Sequence, residues 1–393
     1  MSPYSNWRIG DPSEGGAGYE VGIGPSIISN ANLRWETTEQ YNAGIDLSFL
    51  YGRVRFGADF YHKMTKDLLQ QKTIALSSGF TSMYMNQGSV RNMGFELTIE
   101  ATAVSTRDFS WSLSGNISVN RNRIMRIGNL GENGDIWIAP GQKRSVNHFY
   151  GAPMTSSGTN MGALNIFIEG EPMGLFYAFR TDGIVQSGET GPGFSPGETV
   201  REGCIKYVDV NGNGYIDDLD RTIIGDPNPD FTYGFGTTMT WKRLTMTANF
   251  AGSYGNDVYN LNNNSEFKTN QLNYNVRRRA VKNAWSPENP GGRYPALGKT
   301  SATDTRYLDI CIEDGSFLRL SDLSVGYDIP LGKAKYIKGL NVSIAATNLF
   351  VISGYSGWDP EVSSFGSSTR RMGIDFNSYP SARTFSIDLK FMF

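Results

Sequence analysis

The stretch "FSWSLSGNISVN" at 109–120 limits what this chain can fold into more than any other feature. Phe109, Trp111, Leu113, Ile117 and Val119 occupy one set of alternate positions, and Ser110, Ser112, Ser114, Asn116, Ser118 and Asn120 the other. A period of two belongs to a β-strand whose two faces meet different surroundings. It recurs in "GFELTIEA", where Phe95, Leu97, Ile99 and Ala101 oppose Glu96, Thr98 and Glu100. It recurs again in "FTYGFGTTMTW", where Phe231, Tyr233, Phe235, Met239 and Trp241 share a face. One face suits lipid or an apolar core and the other suits water.

Composition points the same way. With 46 Gly, 22 Phe and 20 Tyr, and 19% charged residues, the 393-residue chain favours aromatic strands and many turns over helices. Its length suits one large β body as well as several soluble domains. No window of about 18 apolar residues predicts a membrane helix. The mean hydropathy of −0.35 does not argue against a membrane barrel, because spanning strands expose apolar side chains only at alternate positions. A net charge of −2 supplies no basic field to draw nucleic acid.

The alternation predicts strands over 39–49, 53–63, 93–103, 109–121, 164–170, 173–184, 230–241, 244–254, 316–328, 339–350 and 382–393. Connections alternate between short, as in "LYG" at 50–52 and "KR" at 242–243, and long, at 64–92, 122–163, 185–229, 255–315 and 351–381. An up-and-down meander places every second connection on the same side. The short ones therefore share one side and the long ones the other, as in bacterial outer-membrane barrels. The last strand, "TFSIDLKFMF", aligns Phe385, Ile387, Leu389, Phe391 and Phe393 and runs toward the short side. A soluble β-sandwich, the alternative, has little reason to place polar residues on the hidden face of so many strands.

The expected fold class is all-β, a transmembrane antiparallel up-and-down β-barrel with long extracellular loops. Single-chain bacterial barrels have even strand numbers, and an open sheet would leave unpaired edges in lipid. Eleven predicted strands thus imply the C-terminal part of a larger barrel. "MSPYSNWRIG" lacks the basic start and apolar core of a signal peptide, so Met1 is not expected to be the natural start.

"DVNGNGYIDDLD" matches the register of a calcium-binding EF-hand loop. Asp209 takes position 1, Asn211 position 3, Asn213 position 5, Gly214 the sharp turn at 6, Tyr215 the carbonyl position 7, Asp217 position 9 and Asp220 position 12. Ile216 would pin the loop inward. No helical pattern flanks the loop, and position 12 lacks the longer Glu. A hydrated Asn/Gly turn is the alternative. The expected cofactor is a structural Ca2+ that stiffens the 185–229 loop.

Tyr355 and Trp358 in "SGYSGWDPEV" are candidates for ligand or lid contact, the alternative being loop packing. Arg277, Arg278 and Arg279 read as a solvated loop face, and Asp46, Asp59, Glu96 and Glu100 as lumen-facing charge. Sequence leaves open whether Cys204 and Cys311 pair. His62 and His148 are the only histidines and neither lies beside a nucleophile, no phosphate loop occurs, and no enzyme is expected.

Five segments carry a resemblance: "NLRWETTEQYNAGIDL" from Asn32, "GSVRNMGFELTIEA" from Gly88, "KYVDVNGNGYIDDLDRTIIGDPNPDFTYGF" from Lys206, "LRLSDLSVGYDIP" from Leu318 and "NVSIAATNLFVISGYSGWDPEV" from Asn341. In this order they resemble the signature segments of SusC-like (RagA-like) TonB-dependent transporters. The resemblance implies a plugged outer-membrane barrel of about 22 strands, of which these would be the last eleven. It also implies a SusD-like surface lipoprotein as lid, energy from TonB, ExbB and ExbD, and oligosaccharides or oligopeptides as cargo. It divides the chain into a partial strand or loop segment at 1–38 and the C-terminal barrel half at 39–393. The plug, the TonB-contacting box and the earlier strands are not seen, so this chain alone is not expected to transport. A non-transporting ligand-binding or adhesive surface barrel is the alternative.

Overall fold

A computed structural model describes residues 4–9, 20–25, 28, 30–80, 82–156, 159–264, 267, 275–298, 306–331, 337–366 and 368–393. Much of the 1–38 segment lies outside them. Its described part contains an antiparallel pair, Tyr4–Ile9 with Glu20–Pro25.

Four long strands come first, β1 (Thr37–Phe49), β2 (Val54–Lys66), β3 (Ser89–Ser105) and β4 (Phe109–Arg126). The chain then leaves this wall and forms β5 (Glu132–Ala139), β6 (Gln142–Tyr150), β7 (Asn165–Ile168), β8 (Leu175–Phe179) and β9 (Arg221–Gly225). It returns as β10 (Phe231–Trp241), β11 (Leu244–Tyr254), β12 (Phe317–Ile329), β13 (Gly339–Ser353) and β14 (Thr384–Met392). The wall is a nine-stranded sheet in the order β14-β13-β12-β11-β10-β4-β3-β2-β1. Every neighbouring pair in it is antiparallel.

Register places like with like. On the outer face Phe60 opposes Phe95, Met239 opposes Met246 and Ile344 opposes Ile387, while Phe235 stacks on Phe250 with ring centroids 4.5 Å apart. On the inner face Ser112 opposes Thr238, Thr238 opposes Thr247, and Ser343 opposes Asp388. Phe95, Phe235 and Phe391 are 42%, 43% and 47% exposed, so among the described residues no protein layer covers the apolar side at these positions. That is the arrangement of a barrel wall in lipid and the reverse of a soluble sandwich. On the same face the Trp111 indole N–H donates to Thr237 Oγ1 at 2.9 Å, which satisfies a donor that hydrocarbon would leave unpaired.

The side-to-side asymmetry holds. Short connections occupy 50–53, 106–108, 242–243 and 330–338, and long ones 67–88, 127–230, 255–316 and 354–383. In the β1–β2 turn Leu50, Tyr51 and Gly52 all have positive φ, and Gly52, at +83°, is where the absence of a Cβ relieves the reversal.

Two of the predicted strands lie outside the wall. The stretches predicted at 164–170 and 173–184 are not wall strands. They contain β7 and β8, which belong to a separate five-stranded sheet in the order β9-β8-β7-β6-β5. Every residue of β7 and β8 is buried, so neither shows a face to lipid and a face to water. At four and five residues they are also too short to cross a bilayer, which takes roughly ten. Nine wall strands therefore replace eleven among the described residues. Removing an adjacent pair leaves the parity of short and long connections unchanged.

The long connections are packed, with a core of their own. Leu164, Phe176, Tyr207 and Ile216 from 127–230, Tyr259, Trp285 and Leu308 from 255–316, and Ile374 from 354–383 form one buried cluster. A second cluster, Ile136, Ile166, Ile168, Leu175 and Tyr177, fills the five-stranded sheet. The result is a loop body seated on the long-connection side of the wall.

Candidate functional site

The loop body holds both sites singled out in the sequence. Gly212 and Gly214, with φ of +76° and +90°, let the chain reverse around Asp209. Asp209 Oδ1 accepts the backbone N–H groups of Gly212 and Asn213 at 2.7 and 3.2 Å, and its Oδ2 accepts that of Gly214 at 2.7 Å. Asn211 Oδ1 accepts the N–H of Asn213, and Asn213 Oδ1 that of Tyr215. Their side-chain amides donate to Asp217, Asn211 at 3.3 Å and Asn213 at 3.1 Å. Ile216 is sealed in the core, as its position in the loop predicts, and its N–H donates to the Gly193 carbonyl.

Asp220 behaves differently from the open ligand that position 12 suggests. It is fully buried, and its Oδ1 accepts the N–H groups of Val210 and Asn211 while Oδ2 accepts that of Asp217. Burial pushes its carboxyl above the ordinary range, against three backbone N–H groups that favour its charge. Asp220 is a staple that closes the loop from behind. Among the described residues no three His, Cys, Asp or Glu gather as a ligand set, so a cation here would depend on amide and carbonyl oxygens beside the acids. The alternation of Asp209, Asn211, Asn213, the Tyr215 carbonyl and Asp217 has the residue types of such a hard-cation donor set, but here the Asp209, Asn211 and Asn213 oxygens accept the loop's own N–H groups and both Asn amides face Asp217, as in the alternative Asn/Gly turn.

The two aromatic candidates part company. Tyr355 is buried and its hydroxyl donates to Asp375 Oδ2 at 2.6 Å, so it packs the loop and is closed to a ligand or lid. Burial, helped by Asp375, pushes the Tyr355 phenol far up. Trp358 is 81% exposed. It lines a cavity of about 890 Å3 with Tyr379, 92% exposed, and with Asn260, Asn377 and Arg277. Glu313 ties three of the lining residues together, Asn260, Asn263 and Ser356. Its Oε1 accepts from Asn260 Nδ2, Asn263 Nδ2 and Ser356 Oγ, and its Oε2 accepts the Ser356 N–H.

The remaining candidates fall as follows. Arg277 and Arg278 are exposed, as expected, whereas Arg279 is half-buried and donates to Asn263 Oδ1 at 2.5 Å. Cys204 and Cys311 are not joined. Asp59 and Glu96 face each other on the inner wall, and Glu100 pairs with Arg55 at 3.9 Å. Sequence reasoning missed Tyr379, Asn260 and Glu313, because the packing of 257–264 against 312–314 and 374–375 is not written in any local pattern. The exposed aromatic in "SYP" was the one available signal for Tyr379.

A sheet apolar outside and polar inside, with short turns at one end and a packed loop body at the other, defines part of a transmembrane β-barrel. Residues 3–166 match the family described as TonB dependent receptor-like, beta-barrel. The chain is 34% identical over 369 residues to TonB-dependent receptor SusC of Bacteroides thetaiotaomicron, covering 93% of this chain and 32% of that protein. It is 31% identical over 383 residues to TonB-dependent receptor P3 of Formosa agariphila, covering 95% and 36%. It thus spans about a third of the length of these curated relatives. The solved structure of the RagAB peptide transporter superposes with a TM-score of 0.74 at 24% identity, over 100% of this chain and 38% of that one, and shows the same fold. The chain carries a stretch of a TonB-dependent receptor β-barrel, similar in sequence to SusC and in fold to the RagAB structure.

Proposed function

We propose that this chain forms the C-terminal wall and the extracellular loop body of a TonB-dependent importer of oligosaccharides or oligopeptides in the outer membrane of a Gram-negative cell. The observation that carries this is the two-faced wall joined to packed long connections, in a chain homologous to SusC. A lumen-facing surface of Ser, Thr, Asn and acidic residues offers hydrated passage, and the lipid-facing Phe, Ile and Leu residues anchor the wall. In this proposal a SusD-like lipoprotein closes over the loop body, and TonB, ExbB and ExbD supply energy through the rest of the protein. The test is uptake of labelled glycan and peptide pools by cells carrying the intact protein. Uptake that disappears on deleting TonB supports the importer, and binding without TonB-dependent uptake supports the adhesive alternative.

Within the loop body, we propose that Asp209, Asn211, Asn213, the Tyr215 carbonyl and Asp217 hold a structural Ca2+, with Asp220 fixing the loop behind them. The ion supplies no chemistry beyond cross-linking. Five oxygen donors within nine residues, without a neighbouring cation in any ion pair described for them, favour this reading. Chelation should increase protease cutting between Glu202 and Asp226 in the intact protein, and unchanged cutting would contradict it.

A further inference from the structure

The apolar face of the wall changes character at its long-connection end. Along β4 the outward positions Trp111, Leu113, Ile117 and Val119 are apolar, and the series then continues as Arg121 and Arg123. Along β3 the outward series Ile99, Leu97, Phe95 and Met93 ends at Arg91. From Trp111 to Val119 the strand runs about 27 Å, or roughly 20 Å of membrane depth at a barrel's usual tilt, close to the ~25 Å apolar band of such a wall. Phe60 opposite Phe95, and Phe231 stacked on Tyr254, mark its upper edge. The guanidiniums begin where hydrocarbon ends.

Register then sets like charges against each other. Arg91 lies directly opposite Arg123, and in the next outward-facing row Lys66 lies opposite Ser89 and Ser89 opposite Arg126. Like charges directly opposed in a sheet are destabilising, so the arginine pair calls for an anion. The nearby carboxylates Glu39 and Asp230 are taken, by Lys66 at 2.7 Å and by Arg121 at 2.8 Å. Among the described residues Arg91, Arg123 and Arg126 have no ion pair, and neither has Asp67 at the rim of the outer row. Arg123 and Arg126 are exposed, and Lys66 and Arg126 line a recess of about 370 Å3 with Met64, Ser89 and Asn129.

We propose that this patch docks the phosphomonoester headgroup of a lipid in the outer leaflet. A guanidinium fork matches phosphate oxygens in both geometry and charge. A monoester leaves three free oxygens, enough to accept from Arg91 and Arg123 at once, where a phosphodiester leaves two. Its charge of about −1.5 to −2 near neutral pH also offsets both cations. Position selects a lipid over a soluble phosphate. When the phosphate rests on Arg91 and Arg123, the acyl chains run down the apolar face past Met93, Phe95 and Val119. Arg126 and Lys66, about 7 Å further along the strands, stand ready for another polar group of the same headgroup. This rests on the wall facing lipid and is independent of what the protein imports.

The experiment is native mass spectrometry of the intact protein in a neutral detergent, with three lipids of identical acyl chains added in turn. Phosphatidic acid carries a phosphomonoester, phosphatidylglycerol an anionic phosphodiester and phosphatidylcholine a zwitterionic one. Phosphatidic acid should be retained about fivefold above phosphatidylglycerol, with phosphatidylcholine lowest. The double variant R91Q/R123Q should reduce phosphatidic acid to the phosphatidylglycerol level, and Arg126→Gln should lower it less. Lys242→Gln, in the short β10–β11 connection at the other end of the wall, should change nothing. Unaltered heat-modifiable migration qualifies a variant as folded. Should the double variant fail that check, Arg123→Gln alone, at an exposed position, gives the reading, with an expected loss of about threefold. Equal retention of the three lipids, retention indifferent to Arg91, Arg123 and Arg126, an equal loss on Lys242→Gln, or displacement of the lipid by equimolar inorganic phosphate would overturn the proposal. Unselective retention on a wall whose Phe95 side is shown to lie in hydrocarbon rejects the patch alone, whereas a Phe95 side in water rejects the wall as well.

Discussion

Arg319 donates through Nη2 to Asp359 Oδ1 at 2.6 Å with both side chains 6% exposed, tying the long-connection end of β12 to the loop that carries Trp358. Glu361 adds a looser contact to the same guanidinium at 3.3 Å. Removing Asp359 leaves the buried Arg319 with only the more exposed Glu361 as counter-charge, at a cost of up to about 3–5 kcal/mol. Asp359→Ala should therefore loosen the 354–383 connection, seen as faster hydrogen exchange there, whereas the double variant R319M/D359L should restore most of the protection.

The same pair sets an acid response. Burial alone would raise the Asp359 carboxyl, but hydrogen bonds from Ser381, Arg319 and the Glu361 N–H outweigh it and hold it below its ordinary 3.8. A depressed folded value means the stabilisation is complete above that ordinary value and is lost as pH falls through the lower one. Exchange protection of 354–383 should thus hold from neutral pH down to about pH 4 and decline below it, and R319M, which leaves the Ser381 and Glu361 hydrogen bonds in place, should weaken that decline.

Loop-body cohesion should be separable from the wall. Phe176 and Tyr259 are fully buried in the cluster that joins the long connections. Phe176→Ala should cost the loop body about 3–5 kcal/mol and expose it to protease, while heat-modifiable migration of the barrel in gels stays unchanged. Loss of both together would show that wall and loop body fold as one unit.

Asp220→Ala removes the acceptor of three backbone N–H groups, and each buried donor left unmatched costs about 1–3 kcal/mol. Cutting within 209–220 should rise with or without chelator. Asp209→Asn should instead act mainly by making cutting insensitive to chelator.

The wall was legible in the sequence because its surroundings impose a period of two, so the alternation at 95–101, 109–120 and 231–241 appears directly in the register of β3, β4 and β10. β7 and β8 were misplaced because "NIFI" and "LFYAF" satisfy a strand propensity without that alternation. A run buried on both faces is the signal that should have moved them off the wall. The calcium-like loop could be placed by its Asn/Gly spacing, yet the inward turn of Asp220 depends on the fold around it. Trp358 and Tyr355 looked equivalent in "SGYSGWDPEV", and only the Asp375 partner, twenty residues beyond Tyr355, separates them.

Which face of the wall meets hydrocarbon decides between a membrane barrel and a soluble sheet. Spin labels at Phe95→Cys, Phe235→Cys and Ile344→Cys, in the intact protein within its membrane and with Cys204 and Cys311 replaced by Ala, should collide with dissolved oxygen and not with a polar nickel chelate. Labels at Thr98→Cys, Ser114→Cys and Ser343→Cys should show no such preference for oxygen. Nickel access at the phenylalanine and isoleucine positions, with oxygen preference on the Ser and Thr side, would contradict the barrel wall and everything proposed from it.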